Sequence, residues 1–157
     1  MTVAVDVPGG PALRLEHAVL DVNGTLAVEG ELAPGVEKRL AALRKQLTVH
    51  LLSGDTYGRT GALAKRLRLE FTRVGQPDEA GAKRAFVREL GGHAVAAIGN
   101  GANDAGMLEE AALGIAVVAA EGAAAAAIRV ADVVVASPMD ALDLLLRPTR
   151  LVATLRR

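Results

Sequence analysis

The chain has 157 residues, with 18 Lys+Arg against 18 Asp+Glu, no Cys, and a formal net charge of zero. That length predicts one globular domain, and a composition of 51% hydrophobic and 23% charged residues excludes an intrinsically disordered chain. The lack of cysteine excludes a disulfide scaffold, a thiolate nucleophile and Cys-ligated metal centres. The zero net charge and the absence of a basic stripe argue against a nucleic-acid partner. The N-terminus lacks a signal-peptide pattern, and the longest uncharged apolar stretch, residues 111–120, is too short for a membrane span. We therefore expect a cytoplasmic protein with no membrane partner.

Strand-like and helix-like segments alternate along the chain, which predicts a mostly parallel sheet with helices on both faces. In chain order we predict a hairpin (2–7 with 13–15), strand 18–21, a helix opening at Pro34, strand 48–53, helix 57–67, strand 71–74, a helix capped by Asp78 and running to 90, strand 94–98, helix 102–112, strand 115–118, helix 123–129, strand 133–135 and helix 141–157 with a break at Pro148. Residues 1–157 are interpreted as one domain, with 1–16 as an N-terminal hairpin extension and 147–157 as a C-terminal helix.

Polar residues follow the predicted strands, at the edge where open parallel sheets bind ligands. They form four sets: Asp21 to Thr25, Ser53 to Asp55, Lys83, and the segment 99–104. Each set has a purely structural explanation when taken alone. Asn23-Gly24 is typical of a hairpin turn, Ser53 and Asp55 of helix caps, and Lys83 of a solvated helix face.

Taken together, the four sets have the composition of a phosphoryl-transfer site. A carboxylate attacks phosphorus, a hydroxyl and a backbone amide hold phosphate oxygens, an ammonium neutralises them, and hard oxygen ligands bind Mg²⁺. Two alternatives fit poorly. Gly99 and Gly101 begin a dinucleotide fingerprint, but Asp104 replaces the third glycine with a carboxylate. A response-regulator receiver domain carries its phosphorylated Asp in a different strand order.

The four sets resemble, in order, the motifs of the haloacid dehalogenase-like (HAD) phosphohydrolase superfamily. The matching residues are Asp21-Val-Asn-Gly-Thr25-Leu26, Ser53 after its strand, Lys83 near a helix start, and Gly99-Asn-Gly-Ala-Asn-Asp104. The resemblance covers about residues 18–146, and the last motif is most similar to the phosphorylation domain of P-type ATPases and their small soluble relatives. It implies a Rossmann-like, doubly wound fold, Mg²⁺ as cofactor, and Asp21 as a transiently phosphorylated nucleophile.

The resemblance also implies a role for each matching residue. The Mg²⁺ ligands would be Asp21, the backbone carbonyl of Asn23, and Asn100 and Asp104, directly or through water. The phosphate-binding set would be Ser53, the Gly54 amide, Thr25 and Lys83, with Thr25 also supporting the loop and Lys83 balancing charge between Asp21 and the phosphate.

Two positions depart from the family pattern. Asn23 stands where the family's phosphatases carry an Asp that serves as general acid and base, and losing such help typically costs on the order of 10² to 10⁴ in rate. Asn100 stands where an acidic metal ligand is usual, so Mg²⁺ is expected to bind more weakly. Glu29 and Glu31, in the segment that forms a flap in this family, are candidate proton-transfer groups.

The short spacings from Asp21 to Ser53 and from Ser53 to Lys83 leave no room for a cap domain. An open site would admit a phosphorylated small molecule or protein, or be covered by a second copy of the chain. Residues 151–155 are a candidate interface for such a homo-oligomer, the alternative being that they pack on their own sheet.

The leading hypothesis is a slow, Mg²⁺-dependent phosphohydrolase that acts through an aspartyl-phosphate at Asp21. The alternative, favoured by Asn23 and Asn100, is a regulatory or interaction module that binds Mg²⁺ and phosphate with little turnover.

Overall fold

The computed structural model describes residues 1–55 and 58–157. Within them the strands are β1 (Val3–Asp6), β2 (Ala12–Leu15), β3 (His17–Asp21), β4 (Ala27–Val28), β5 (Glu31–Leu32), β6 (Thr48–Ser53), β7 (Glu70–Arg73), β8 (Val95–Gly99), β9 (Leu113–Val117) and β10 (Val133–Val135). The helices are α1 (Val36–Leu43), α2 (Thr60–Leu67), α3 (Glu79–Glu89), α4 (Ala105–Glu110), α5 (Ala125–Val130), α6 (Pro138–Leu146) and α7 (Pro148–Leu155).

Six of these strands form one parallel sheet in the order β10-β9-β8-β3-β6-β7. β3 lies at its centre: from it the chain goes first to β6 and β7 on one side of the sheet and then returns to β8, β9 and β10 on the other. The carboxyl end of β3 is therefore the point where strand order reverses, which is where open α/β sheets bind ligands. The predicted Rossmann-like, doubly wound parallel sheet is confirmed.

Apolar side chains cover both faces of the sheet, as the alternating pattern predicted. One buried cluster includes residues of α1, α2, α6, α7 and the β1–β2 hairpin, and the other includes residues of α3, α4 and α5. In α1 the side chains of Val36, Leu40 and Leu43 are fully buried, because their spacing places them on one side of the helix.

Most element boundaries lie close to the predicted ones, with three differences. The segment predicted as helix 102–112 begins with a 3₁₀ turn at Ala102–Asp104 and ends at Glu110. α6 begins at Pro138 rather than 141, because the Ser137 hydroxyl accepts the Asp140 amide as a cap. The helix predicted from residue 57 is present as Thr60–Leu67, and its first predicted residue lies outside the described part of the chain.

The terminal segments pack against each other on one face of the sheet. β1 and β2 form the predicted antiparallel hairpin, and α7 packs against β1 and α6. Leu151 is fully buried, with Val152 and Leu155 partly buried beside it, so the apolar side chains of 151–155 cover the core of their own chain.

In the described ranges the only structure inserted between β3 and β6 before α1 is the small β4–β5 hairpin, here called the flap (residues 24–32), and no cap domain lies over the sheet. None of the described helices has the length and apolarity that a bilayer crossing requires.

Candidate active site

Asp21, the last residue of β3, lies beside the buried ammonium group of Lys83. Lys83 Nζ donates to Asp21 Oδ1 over 2.8 Å, although the two residues are far apart in sequence. Lys83 is completely buried and Asp21 is 6% exposed. The lysine reaches the end of β3 from the second turn of α3, whose start is fixed by the Asp78 side chain accepting the Gly81 amide.

Asp104 is the second partner of Lys83, and both of its oxygens are engaged. Oδ1 accepts from Lys83 Nζ at 2.8 Å, and Oδ2 accepts the backbone N–H groups of Asn100 at 3.0 Å and Gly101 at 2.9 Å. Asp104 is completely buried. Its contacts hold the loop after β8 in place and set the position of the lysine.

The hydroxyl of Thr25 joins the loop after β3 to the loop after β8. Thr25 Oγ1 lies 2.7 Å from Asp21 Oδ2 and 2.9 Å from Asn100 Oδ1. The orientation of the Asn100 amide follows from its other end, where Nδ2 donates to the Gly122 carbonyl at 3.2 Å. Because a hydroxyl carries one proton, it donates to one of these two oxygens at a time. The oxygen that does not receive this proton, on Asp21 or on Asn100, remains a free acceptor in a corner of the site where several oxygen atoms lie together.

Ser53, predicted to hold a phosphoryl oxygen, lies at the end of β6 next to this corner. Its Oγ accepts the Asp55 amide at 2.9 Å and receives the Asn23 Nδ2 group at 3.3 Å. Asp55 Oδ1 in turn accepts the amide of Thr60, the first residue of α2, at 2.8 Å. Asn23 is exposed at the mouth of the site. Gly54, the proposed amide donor, lies between Ser53 and Asp55 at the same strand end.

The charges at this strand end are unbalanced toward the negative. The carboxylates of Asp21 and Asp104 and that of Glu79, at 3.3 Å, surround the one ammonium of Lys83. Burial, followed by the charge of Asp104, raises the pKa of Asp21 to about 6 against the opposing effect of Lys83. Burial disfavours the charged form of Lys83, but Asp21 and Asp104 together hold its pKa above the usual value. An additional cation would relieve the excess negative charge.

The oxygens at this corner fit a magnesium ion. Among the residues that the structure describes, no His, Cys, Asp and Glu side chains gather in threes as an all-side-chain metal cage. Magnesium does not require one, because it usually keeps waters and uses one or two carboxylates together with substrate phosphates. Asp21 Oδ2 and Asn100 Oδ1 share a hydroxyl neighbour, and no hydrogen bond from the described residues ends on the Asn23 carbonyl. These are hard oxygen donors, the kind that the ion prefers.

Two carboxylates at the site did not emerge from the sequence analysis. Glu79 faces Lys83 from one turn earlier in α3, and its i, i+4 spacing from the lysine was a usable signal. Glu121, in the loop after β9, lies against Gly24. The only sequence pointer to Glu121 is its place after the carboxyl end of a strand.

A cavity of about 330 Å³ opens beside Asn23, between the flap and the start of α2. Its lining combines apolar side chains such as Leu32 and Leu63 with the charged side chains of Glu31 and Arg59. Arg59 Nη1 pairs with Glu31 and also donates to the Gly30 carbonyl at 3.3 Å, so the arginine ties the flap to α2. Glu29, at the tip of the flap, is exposed with a φ of 52°.

Comparisons with known proteins agree with this architecture. An uncharacterized protein of Methanocaldococcus jannaschii is 52% identical over 62 residues, which is 40% of this chain and 67% of that protein. The crystal structure of 3-deoxy-D-manno-octulosonate 8-phosphate phosphatase from Moraxella catarrhalis, in complex with a magnesium ion, a phosphate ion and a KDO molecule, superposes with a TM-score of 0.70 at 19% identity, covering 90% of this chain and 94% of that one. The cobalt-bound form of the deoxy-D-mannose-octulosonate 8-phosphate phosphatase from Haemophilus influenzae gives a TM-score of 0.70 at 16% identity, covering 88% of this chain and 91% of that one.

At these identities the two phosphatase structures establish the shared fold. The family is established by a different match, because the model of the haloacid dehalogenase-like hydrolases covers residues 3–112, the span from β1 through the loop after β8 and α4. That span contains Asp21, Ser53, Lys83 and Asp104. The chain belongs to the haloacid dehalogenase-like hydrolase family.

Proposed function

We propose that this protein is a Mg²⁺-dependent phosphohydrolase that acts through an aspartyl-phosphate at Asp21. The observation that carries the proposal is the arrangement at the end of β3, where one Asp21 oxygen accepts from Lys83 and the other from Thr25. A carboxylate held by two donors is fixed in orientation, and an adjacent ammonium stabilises the negative charge that accumulates during phosphoryl transfer.

The first half-reaction forms the acyl phosphate. An Asp21 carboxylate oxygen attacks phosphorus, the bond from phosphorus to the leaving oxygen breaks, and its electron pair departs with the leaving group. We assign Ser53 and the Gly54 amide, at the end of β6, to hold phosphoryl oxygens, and Lys83 to balance the charge between the carboxylate and the phosphate. Magnesium, when bound, would neutralise phosphate charge; Asp21, the Asn23 carbonyl, and Asn100 and Asp104, directly or through water, are the residues that would hold it.

The second half-reaction returns the enzyme to its starting state. Water attacks the phosphorus of the acyl phosphate, the bond to the Asp21 oxygen breaks, and inorganic phosphate leaves. In both halves a proton must be transferred, to the leaving oxygen and then from the water. Asn23 can neither donate the first proton nor accept the second, because a carboxamide does not ionise near neutral pH, so both protons are exchanged with solvent water. We therefore propose slow turnover, with the best rates for substrates whose leaving group needs no proton, such as aryl and acyl phosphates.

The candidate substrates are phosphorylated small molecules that enter beside the flap. The cavity next to Asn23 supports this, since it places about 330 Å³ of space directly beside the exposed side chain of that residue. A phosphorylated protein side chain remains a second class of substrate, because no cap domain among the described residues closes the site.

The test is a panel of phosphate esters and acyl phosphates with Mg²⁺, run on the wild type, on Asp21→Asn and on Asp6→Asn. Asp6 is an exposed residue of the β1–β2 hairpin and provides the matched Asp-to-Asn control. We expect hydrolysis by the wild type and by Asp6→Asn only. After acid quenching, mass spectrometry should locate one phosphoryl group on the peptide that contains Asp21. Equal activity of Asp21→Asn would contradict the proposal. Binding of Mg²⁺ and phosphate with neither turnover nor phosphorylation would identify the non-enzymatic binding module instead.

A further inference from the structure

The loop between β9 and α5 brings the carboxylate of Glu121 to the edge of the candidate site. A Cβ placed on Gly24 would lie 2.7 Å from Glu121 Oε2 and 3.0 Å from Asn100 Nδ2. The acid and the amide thus both lie close to one point on the loop after β3. Gly24 has a φ of 82°, in the left-handed region that suits glycine. The missing side chain at residue 24 is what allows Glu121 to come this close.

The position of Glu121 is tied to Asn100 by two hydrogen bonds. Asn100 Nδ2 donates to the carbonyl of Gly122 at 3.2 Å, and the Ala124 amide donates to the carbonyl of Asn100 at 2.8 Å. The loop that carries Glu121 is therefore anchored on the residue that stands in the place of an acidic metal ligand. Within the described ranges Glu121 forms no ion pair, and it is exposed. Its charge faces the solvent at the mouth of the site.

We propose that Glu121 supplies the negative charge that Asn100 lacks, as an outer-sphere carboxylate of the divalent-cation site. This inference rests on the proposed function, because it assigns a residue to the cation of that same site. Asn100 offers an oxygen but no charge, and Mg²⁺ keeps much of its hydration shell in protein sites. A carboxylate just beyond the inner ligands accepts hydrogen bonds from that shell and neutralises part of the charge. Asn100 would thus supply the oxygen ligand and Glu121 the negative charge that a single inner carboxylate supplies elsewhere.

Binding of Mn²⁺ tests this without any substrate. The free ion is followed by electron paramagnetic resonance as it is titrated into the wild type, Glu121→Gln and Glu89→Gln. Glu89 is an exposed residue at the end of α3, away from the site, and gives the matched loss of charge. We expect Glu121→Gln to weaken Mn²⁺ binding by about 10- to 100-fold, the usual effect of losing an outer-shell partner, and Glu89→Gln to leave it unchanged. Adding Asn100→Asp to Glu121→Gln should restore the affinity, because the charge returns to the inner position.

Several outcomes overturn the inference. Binding by Glu121→Gln within about twofold of the wild type would refute the role of Glu121 while leaving the proposed function intact. An equal loss in Glu89→Gln would assign the effect to net charge rather than to position. Failure of Asn100→Asp to restore binding would show that the two residues do not share one task. A wild type that binds no Mn²⁺, or whose binding does not change in Asp21→Asn, would overturn both this inference and the metal dependence of the proposed function.

Discussion

The side-chain amide of Asn23 donates to the hydroxyl of Ser53 across 3.3 Å, joining the loop after β3 to the end of β6. The family's phosphatases use a carboxylate at the position of Asn23, and a carboxylate would accept the Ser53 proton where the amide now donates. Asn23 is exposed beside the cavity, so it would face a substrate that enters there. In the proposed reaction the identity of this one side chain therefore bears on proton transfer in both half-reactions.

Asn23→Asp is expected to convert a slow enzyme into a faster one. In the wild type, rapid quenching with an aryl phosphate should show a burst of about one equivalent of phosphorylated Asp21, because formation outpaces hydrolysis. The variant should raise the steady rate by roughly 10²-fold or more and shrink the burst, since a carboxylate can activate water. Asn23→Ala serves as control, because it removes the bond to Ser53 without supplying a base.

A different result would move the proton-transfer group to the flap. If Asn23→Asp leaves the rate unchanged while Glu29→Gln or Glu31→Gln abolishes it, the flap carboxylate acts as acid and base. Glu31 already pairs with Arg59 at the cavity, so Arg59→Gln should then alter the rate as well.

Removing the buried lysine should destabilise the fold as well as stop phosphoryl transfer. In Lys83→Met the carboxylates of Asp21 and Asp104 lose their shared partner inside the protein. Breaking a buried ion pair from one side typically costs about 3 to 5 kcal/mol. Urea unfolding should show a loss of this size near neutral pH and a smaller loss in acid, where Asp21, whose pKa burial raises to about 6, becomes protonated. Lys65→Met, at an exposed lysine of α2, should change the free energy of unfolding little; a similar loss in both variants would contradict the argument.

Asp104→Asn tests whether Asp104 positions the loop after β8. The carboxylate accepts the amides of Asn100 and Gly101 with one oxygen and Lys83 with the other. A carboxamide has a single oxygen, so its NH₂ group must face either the ammonium or the two amides. We expect a loss of about 1 to 3 kcal/mol in stability, the cost of leaving a buried polar group unsatisfied. Hydrogen exchange should speed up at the amides of Asn100 and Gly101, whereas unchanged exchange there would show that Asp104 does not hold the loop.

Much of this arrangement could be predicted because parallel strands end at one edge. Once β3, β6 and β8 were identified from their apolar runs, the residues after them had to lie together. Asp104 shows the limit of that argument. The sequence placed it at the site as a candidate magnesium ligand, which stays a prediction. The sequence could not show that Asp104 also accepts the Asn100 and Gly101 amides, because the direction of those amides depends on the turn after β8. The position of Glu121 was harder still to predict from the sequence. It is brought to Gly24 by hydrogen bonds between two loops, and loops have no periodic pattern from which such contacts can be inferred.

The pair His17 and His50 predicts an acid sensitivity that is independent of the active site. His17 Nδ1 lies 3.1 Å from His50 Nε2, and the His50 ring packs edge-on against Phe86. Burial, followed by the proximity of His17, lowers the pKa of His50 to about 4 from 6.5. Between these values the unfolded chain binds a proton that the folded chain does not, so stability falls as the pH is lowered through this window.

Asp21 affects the pH dependence of stability in the opposite direction from His50, but the contribution of His50 can still be isolated. The raised pKa of Asp21 means that its folded form holds a proton over an overlapping range, which stabilises the folded state as the pH falls. Comparing variants removes that shared effect. We would measure denaturation at about pH 7.5 and pH 4.5 for the wild type, His50→Gln and His93→Gln. His93 is exposed and serves as the control. From the difference between 6.5 and about 4, His50→Gln should lose about 2 to 3 kcal/mol less on acidification than the wild type. His93→Gln should follow the wild type. Equal losses in all three proteins would show that His50 titrates normally, and that neither its burial nor His17 suppresses its protonation in the folded state.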